Sequence, residues 1–174
     1  MQRHWLLKNG ALTHGLRELG QFSLSVLHEG ITMPAVDELT ALGLNTHDLV
    51  WAREVCMSIG DTECVLARTV TPLSASHSTW QGIRGLGSRP LADLLYDDRR
   101  IDRTPFETCH AMRPHRFATL ARHLTSGDHP QRPDLGRLWA RRSVFYRYHD
   151  PLLVAECFLP SFWDIARPVT PQKR

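Results

Sequence analysis

The chain has 174 residues, 42% hydrophobic and 22% charged, which is the balance of an ordinary globular domain with a real core. Its net charge of +3 is mild, and neither RRIDR nor RLWARR forms a known nucleic-acid motif, so we expect no nucleic-acid partner. No apolar run approaches the roughly 20 residues of a membrane span, and the amino-terminal apolar stretch is too short for a secretory signal, so we expect a cytoplasmic location by default.

The first quarter of the chain predicts a short helix and then a strand. In ALTHGLRELG, Leu12, Leu16 and Leu19 recur at helical spacing, and Gly20 supplies a stop signal. The following FSLSVLHEG alternates apolar and polar residues, which indicates a half-buried strand that ends in a glycine turn. The stretch 31–48 contains a proline, a glycine and an asparagine, so we expect a connection with one helical turn.

A β-hairpin is predicted next. The runs 49–58 and 63–71 both have strand composition, and the Gly60–Asp61 pair between them is a hairpin turn signal. The segment 80–96 then predicts two short helical pieces around LGSRPL.

The region 97–136 is rich in His, Arg, Pro, Asp and Gly, and we interpret it as a polar insertion. Within it we expect a helix around 117–124, flanked by loops that are mobile relative to the core. Two more strands follow, LWARRSVFYRY and PLLVAECFLP, joined by the turn HDP. The tail 161–174 is Pro-rich and basic at its end, and we expect it to fray. Strands at both ends with helices between them predict one α+β domain over 1–174, with an antiparallel sheet.

Two charged residues interrupt the apolar strands. Arg53 lies in LVWAREVCM and shares a strand face with Trp51 and Val55, while Glu156 lies in PLLVAECFLP and shares a face with Val154. An unpaired charge in a sheet interior costs several kcal/mol, so such charges are usually paired or serve a ligand. The two residues therefore predict either a pocket for a small, polar, anionic molecule or a structural ion pair.

No metal or cofactor motif is present. The four cysteines (Cys56, Cys64, Cys109 and Cys157) have no CxxC spacing, and we interpret them as small buried thiols. The ten histidines are scattered, without HExxH or zinc spacing, and no GxGxxG or GxxxxGK phosphate loop occurs. We therefore expect neither a metal nor an organic cofactor.

An ordered set of short motifs resembles the chorismate lyase (chorismate–pyruvate lyase) family. The set is WLLxxxxLT, SVLHEG, WAREVC, LARTVTP, LGSRPLADLLY, LWARRSVF and PLLVAECFLP, and it spans roughly residues 5–160. Each motif is weak alone, and the specificity comes from their order around the same two charges. The polar insertion is longer than in the shortest members of the family and the tail after Pro160 is also extended, so no function is transferred to either segment.

The resemblance implies a fold and an activity. The fold would be a single, mainly antiparallel sheet of about six strands, with helices on one face and two helical flaps over an internal pocket. The activity would be cleavage of chorismate into 4-hydroxybenzoate, a ubiquinone precursor, and pyruvate without any cofactor. A monomer whose partners are the substrate and the product is expected.

The resemblance also assigns residues. Arg53 in WARE would grip the ring carboxylate and Glu156 in AECFLP would contact the 4-hydroxyl, and these two would carry catalysis as well as binding. Leu91 in RPLAD would offer a flap N–H to the carboxylate, and Leu12 would give apolar cover from a lid. Arg68 in LARTV would be a second internal arginine, near the path of the enolpyruvyl part.

Some points stay open at this level. We expect Arg53 and Glu156 to neutralise each other partly in the empty site, and Glu156 either assists removal of the C4 proton or only anchors the ring. Arg68 also fits a purely structural role. Arg141 and Arg142 are adjacent on a strand and point to opposite faces, so one would be exposed and the other is a candidate for the internal network.

A different class of function competes with the lyase. The implied fold also resembles the effector-binding domains of bacterial transcription regulators, which bind small molecules without chemistry. Those domains normally follow a winged helix–turn–helix, and the matched pattern already begins at Trp5, which disfavours a regulator. A non-catalytic module for a small aromatic acid, and an enzyme for another chorismate-like acid, remain as alternatives.

Overall fold

A computed structural model describes residues 2–96, 98–112, 115–125 and 137–167, except the side chain of Thr125. Within these ranges the strands are β1 (Phe22–Thr32), β2 (Val50–Ile59), β3 (Thr62–Pro72), β4 (Asp102–Arg103), β5 (Glu107–Ala111), β6 (Leu138–Arg147) and β7 (Asp150–Phe158). The α-helices are α1 (Gln2–Leu7), α2 (Leu12–Leu19), α3 (Val36–Leu42), α4 (Leu73–Ser76), α5 (Ala92–Leu95), α6 (Arg116–Thr125) and α7 (Pro160–Ile165), with a 3₁₀ helix at Gln81–Gly85. No helix of this described part is long and apolar enough to cross a membrane.

The described strands form one antiparallel sheet in the order β1-β2-β3-β7-β6-β4, and β5 also pairs with β6. Two long hairpins make its centre. The β2–β3 hairpin turns at Gly60, whose φ of 57° suits glycine, and the β6–β7 hairpin turns at Tyr148 and His149, with φ of 51° and 72°. Left-handed φ at both central residues matches the right-handed twist of the flanking strands.

Both faces of the sheet are covered, which is why its central strands read as nearly continuous apolar runs. On the first face, α1, α2 and α7 pack over one apolar cluster that includes Val55, Val65 and Phe158. The 3₁₀ helix and α5 pack over a second cluster on that face, around Trp51 and Trp80. On the second face, α6 and α3 cover the remaining clusters.

The α+β class and the antiparallel sheet are confirmed. The predicted α2, both hairpins, the two helical pieces and the helix near 117–124 are all present. β1 is present too, but it continues through Gly30 to Thr32, so the predicted glycine turn at its end is wrong. The prediction that the helices lie on one face of the sheet only is wrong, because α3 and α6 lie on the other face. All four cysteines are free, and Cys109 is exposed while the other three are buried.

The polar insertion differs most from expectation. Residues 102–103 and 107–111 add β4 and β5 to the sheet, so it has seven described strands where about six were expected. β5 is short and mostly exposed, so its sequence carries no alternating pattern, and pairing with β6 alone defines it. The part of the predicted loops at 126–136 lies outside the described residues.

The start of the tail also differs from the prediction. Residues 160–165 form α7, and Phe162 is fully buried against Trp5 and Phe158, with ring centroids 5.1 and 5.0 Å away. The prediction of a frayed tail is therefore wrong for this helix, because Phe162 and the partly buried Trp163 pack it against the core. The end of the predicted tail, 168–174, lies outside the described residues.

We expect Phe162→Ala to lower the free energy of unfolding by about 3–5 kcal/mol, because it empties a fully buried aromatic site. Chemical denaturation measures the loss. Asp164→Ala on the same helix is the control, since Asp164 makes only an exposed ion pair with Arg167, and its effect should stay within about 0.5 kcal/mol. Equal stabilities for the two variants would mean that α7 is not part of the folded core.

Candidate active site

A cavity lies on the first face of the sheet, between the strands and two helical covers. Its empty volume is about 680 Å³ including the mouth. Strands β2, β3, β6 and β7 form the floor, the start of α2 forms one cover, and the segment around α5 forms the other. The lining is mainly apolar and contains Ala11, Leu12, Thr13, Leu24, Arg53, Val55, Met57, Ala67, Thr69, Pro90, Leu91, Ala92, Leu95, Tyr96, Phe106, Arg141, Ser143, Phe145, Val154 and Glu156.

Arg53 is buried on β2, with only 3% of its surface exposed. Its Nη2 donates to the backbone carbonyls of Gly87 and Arg89, which lie in the segment that leads to Leu91. Its Nε is buried without a hydrogen-bond partner in the described part of the chain, and the nearest carboxylate oxygen, on Glu29, is 3.7 Å away. The positive charge of Arg53 is thus only partly neutralised, and its Nε–H is free to donate a hydrogen bond to a ligand in the cavity.

Burial lowers the pKa of Arg53 from its usual value, and the charge of Glu29 acts in the opposite sense. An arginine nevertheless stays protonated at neutral pH, because its ordinary pKa is far above 7. A carboxylate that entered the cavity would supply the missing negative charge.

Glu156 lies on β7 and pairs with Arg141, its direct neighbour on β6. Arg141 Nε donates to Glu156 Oε2 at 2.6 Å, and the Arg141 side chain is 1% exposed. The expectation that Arg53 neutralises Glu156 is therefore wrong. The two residues lie on strands separated by β3, and Arg53 faces Thr69 while Glu156 faces Ala67. With standard strand spacings, their Cα atoms are offset by roughly 10 Å across the sheet and 7 Å along it.

Hydrogen bonds to backbone carbonyls hold the two covers in place over the sheet. Arg141 Nη1 donates to the carbonyls of Trp5 and Lys8 at 2.9 and 3.1 Å, which holds the segment before α2. Tyr96 Oη donates to the carbonyl of Gly10 at 2.9 Å and joins the second cover to the same segment. Burial, with a smaller contribution from Glu156, raises the pKa of Tyr96, so its hydroxyl keeps its proton.

Four of the five predicted site residues meet at this cavity: Arg53, Glu156, Leu12 and Leu91 all line it. Arg68 does not. It lies on the second face of the sheet, where it pairs with Glu38 at 2.6 Å and with Glu54 at 3.1 Å. On that face it lines a second pocket, and its place near the path of the enolpyruvyl part stays a prediction.

A β-bulge explains the position of Arg68. At the turn end of the hairpin Ser58 pairs with Glu63, but Met57 pairs with Val65, so Cys64 is an extra residue on β3. Without this insertion, Arg53 would face Arg68 and both would share the cavity side. With it, Arg53 faces Thr69 and Arg68 is turned to the other face.

Five polar lining residues are not among the predicted site residues: Thr13, Thr69, Tyr96, Arg141 and Ser143. Of the two adjacent arginines on β6, Arg141 is the internal one and Arg142 is partly exposed. Thr13 Oγ1 and Ser143 Oγ are buried without a hydrogen-bond partner within the described ranges. Small hydroxyl residues occur at many strand and helix positions, so no sequence signal marked these two.

Metal ligands do not gather in the described part of the chain: no group of three His, Cys, Asp or Glu residues there is placed to hold an ion. The lining of the cavity offers two guanidinium groups, one carboxylate and several hydroxyl groups among apolar side chains. Such a set fits an anionic ring acid with a polar group at its far end.

Comparison with known proteins gives a family match along almost the whole chain. A model of the chorismate lyase family matches residues 1–168. The probable chorismate pyruvate-lyase of Bordetella avium (strain 197N) is 46% identical over 99% of this chain and 85% of that protein. The similarly named protein of Bordetella pertussis is 47% identical over 99% and 89%, and that of Pseudomonas entomophila is 42% identical over 94% and 85%.

Solved structures show a shared fold at low identity. The effector domain of PhnF from Mycobacterium smegmatis matches with a TM-score of 0.55 and 12% identity, over 87% of this chain and 89% of that chain. The C-terminal domain of the histidine utilization repressor from Pseudomonas syringae pv. tomato matches with a TM-score of 0.55 and 10% identity, over 88% and 100%. These likenesses concern the fold alone.

We expect Arg68→Met to lower the free energy of unfolding by about 3–5 kcal/mol, because it leaves buried Glu38 without its arginine partner and leaves Glu54 with Arg116 alone. The matched control is Arg142→Met, whose partners Asp37 and Glu107 are exposed, and whose cost should be below about 1 kcal/mol. Urea denaturation compares the two. Similar small losses would show that Arg68 is not a structural ion-pair residue.

Acid should weaken the same network. Burial acts to raise the pKa of Glu54, but hydrogen bonds and charges from Arg116 and Arg68 outweigh it and leave that pKa lowered. A lowered folded-state pKa contributes stability above the unfolded value of about 4.5, and this stability is lost as pH falls through the folded value. The unfolding free energy, measured from pH 7 to pH 3, should therefore fall less steeply in Glu54→Gln than in the wild type. Parallel slopes would remove Glu54 from the acid response.

Proposed function

Because the chain belongs to the chorismate lyase family, we propose that it eliminates pyruvate from chorismate and releases 4-hydroxybenzoate. The observation that carries this proposal is the placement of Arg53 and Glu156 at opposite ends of one enclosed apolar cavity. Chorismate presents a ring carboxylate and, across the ring, a C4 hydroxyl, and the two side chains are suited to these two groups.

The reaction balances without a further reactant. The bond between ring carbon C3 and the ether oxygen breaks, the hydrogen on C4 leaves as a proton, and the electron pair of the C4–H bond forms the C3–C4 double bond that completes the aromatic ring. The departing enolpyruvate gains a proton at its methylene carbon and becomes pyruvate. Because aromatisation supplies the driving force, the protein has to orient the substrate, exclude water and assist one proton transfer.

Arg53 holds the ring carboxylate in this proposal. Its free Nε and its incomplete neutralisation favour an incoming carboxylate, and burial strengthens the bond by excluding water. The covering segment that carries Leu91 is hydrogen-bonded to the same guanidinium through Gly87 and Arg89. The carboxylate site and the cover are thus built together.

Glu156 accepts a hydrogen bond from the C4 hydroxyl and takes the proton from C4 in this proposal. Its charge is compensated in the empty site by one hydrogen bond from Arg141 Nε, so its other oxygen remains available for the substrate. Leu12 on α2 and Leu91 beside α5 close the apolar walls around the ring. Enclosure keeps bulk water from competing for these polar contacts.

The proposal also covers the context of the reaction, as the family implies. The chain acts without a metal or organic cofactor, as a monomer in the cytoplasm. Its product, 4-hydroxybenzoate, is used as a ubiquinone precursor. A non-catalytic module that binds a small aromatic acid is the alternative, since this fold also serves effector domains. Turnover is what separates the two.

The decisive assay incubates the purified chain with chorismate in the presence of a chelator and follows 4-hydroxybenzoate and pyruvate together. We expect both products in equal amounts. Binding of 4-hydroxybenzoate without turnover of chorismate would support the binding module and contradict the lyase.

Glu156→Gln should lower kcat by about 10²–10⁴, the usual scale of general acid–base help. Normal turnover in this variant would reduce Glu156 to an anchor.

Arg53→Ala should weaken 4-hydroxybenzoate binding by about 1.5–3 kcal/mol, the worth of a hydrogen bond to a charged group. Isothermal titration calorimetry measures the change. Arg84→Ala, at an exposed arginine on the 3₁₀ helix, serves as the control and should leave the affinity unchanged. An unchanged affinity in Arg53→Ala would place the carboxylate elsewhere.

A further inference from the structure

Chorismate carries two carboxylates, and the proposed function assigns only the one on the ring. The second belongs to the enolpyruvyl group, which is attached to C3, next to the carbon that bears the C4 hydroxyl. If Glu156 binds that hydroxyl, the second carboxylate must lie at the Glu156 end of the cavity. A cation is needed there, because a buried carboxylate without a partner is costly.

The cavity offers one suitable cation. Among the lining residues that the structure describes, the basic ones are Arg53 and Arg141, and Arg53 lies at the opposite end from Glu156. Arg68, the arginine that the sequence favoured for the enolpyruvyl part, is on the other face of the sheet and is already paired with two carboxylates. Arg141 is next to Glu156 across the β6–β7 ladder.

The guanidinium of Arg141 is preorganised and has spare capacity. Nε donates to Glu156, and Nη1 donates to the carbonyls of Trp5 and Lys8. The guanidinium carbon lies 4.2 Å from the ring centroid of Phe106, which holds its plane. The hydrogen bonds that Arg141 makes to described residues use Nε and Nη1, so Nη2 is the donor that remains for a ligand.

A second polar group, the hydroxyl of Ser143, lies in this part of the cavity. Ser143 follows Arg141 by two residues on β6 and therefore shares its face of the sheet. Its Oγ is buried and unpartnered within the described chain, although buried hydroxyls are nearly always hydrogen-bonded. An anionic group that accepts from Arg141 and from Ser143 would satisfy both.

We propose that Arg141 binds the enolpyruvyl carboxylate and that Ser143 donates a supporting hydrogen bond to it. Arg141 then bridges two anions during the reaction, namely Glu156 and the second carboxylate of the substrate. After cleavage this carboxylate leaves with pyruvate, and 4-hydroxybenzoate keeps its contacts with Arg53 and Glu156 but makes none with Arg141. Arg141 is thus the residue that distinguishes the dianionic substrate from the monoanionic product.

The test compares two ligands that differ in the second carboxylate. One is 4-hydroxybenzoate, and the other is 3-(carboxymethoxy)-4-hydroxybenzoate, a stable aromatic compound with an ether carboxylate at the position of the enolpyruvyl group. We expect the wild type to bind the dicarboxylate about 10- to 100-fold more tightly, the scale of one charge-assisted hydrogen bond. Tighter or equal binding of 4-hydroxybenzoate would overturn the proposal at once.

Arg141→Met should abolish this preference, while Arg141→Lys should retain part of it, because a lysine keeps the charge without the planar fork. Arg142→Met is the matched control, since Arg142 is adjacent on β6 but pairs with Asp37 and Glu107 on the other face, and it should leave the preference intact. Equal weakening of both ligands by Arg141→Met would give Arg141 a structural role only and would contradict the proposal.

A further variant controls for misfolding of Arg141→Met, in which the charge of Glu156 has no partner. Arg141→Met combined with Glu156→Gln removes the pair without a change in net charge, and it is compared with Glu156→Gln alone. We expect the preference to persist in the single variant and to vanish in the double variant. A preference retained in the double variant would overturn the proposal.

This inference rests on the proposed function, but the two fail differently. If chorismate is not turned over while the preference for the dicarboxylate depends on Arg141, the lyase is wrong and the second carboxylate site stands. If chorismate is turned over and Arg141→Met leaves both kcat/KM and the preference unchanged, the lyase stands and the role of Arg141 is wrong.

Discussion

A buried guanidinium must be neutralised, and three buried arginines on the central strands are neutralised to very different degrees. Arg68 has two buried carboxylates, Arg141 has one carboxylate and two carbonyls, and Arg53 has two carbonyls and a carboxylate oxygen at 3.7 Å. The arginine with two carboxylate partners lies on the face away from the cavity, and the other two line it. The deficit of negative charge is thus concentrated where a ligand can enter, which is the physical basis of an anion site.

Strand alternation keeps structural and functional charges apart. Arg53 and Glu54 are adjacent on β2, and so are Arg141 and Arg142 on β6, yet the members of each pair lie on opposite faces. One face carries the cavity lined by Arg53 and Glu156, and the other carries a second pocket and the ion pairs that hold α3 and α6 to the sheet. The bulge at Cys64 sets this division, because one extra residue decides which face receives Arg68.

These features explain how far the sequence alone could lead. Arg53 and Glu156 were found because a charge within an apolar strand run is conspicuous, and the two hairpins were found from alternation and turn residues. The face of Arg68 depends on a single bulged residue, which leaves no pattern that can be counted along the chain. The pairing of Glu156 with Arg141 depends on the register between β6 and β7, and the short strand β5 depends on its partner, so both required tertiary structure.

The central claim is that one anionic ring acid spans the cavity from Arg53 to Glu156. A crystal structure of the chain with 4-hydroxybenzoate bound tests it most directly, because it shows both ends of the ligand at once. We expect the carboxylate within hydrogen-bond distance of Arg53, at about 2.7–3.0 Å, and the hydroxyl at the same range from Glu156. A ring bound in the reverse direction, or a ligand on the face that carries Arg68, would contradict the claim.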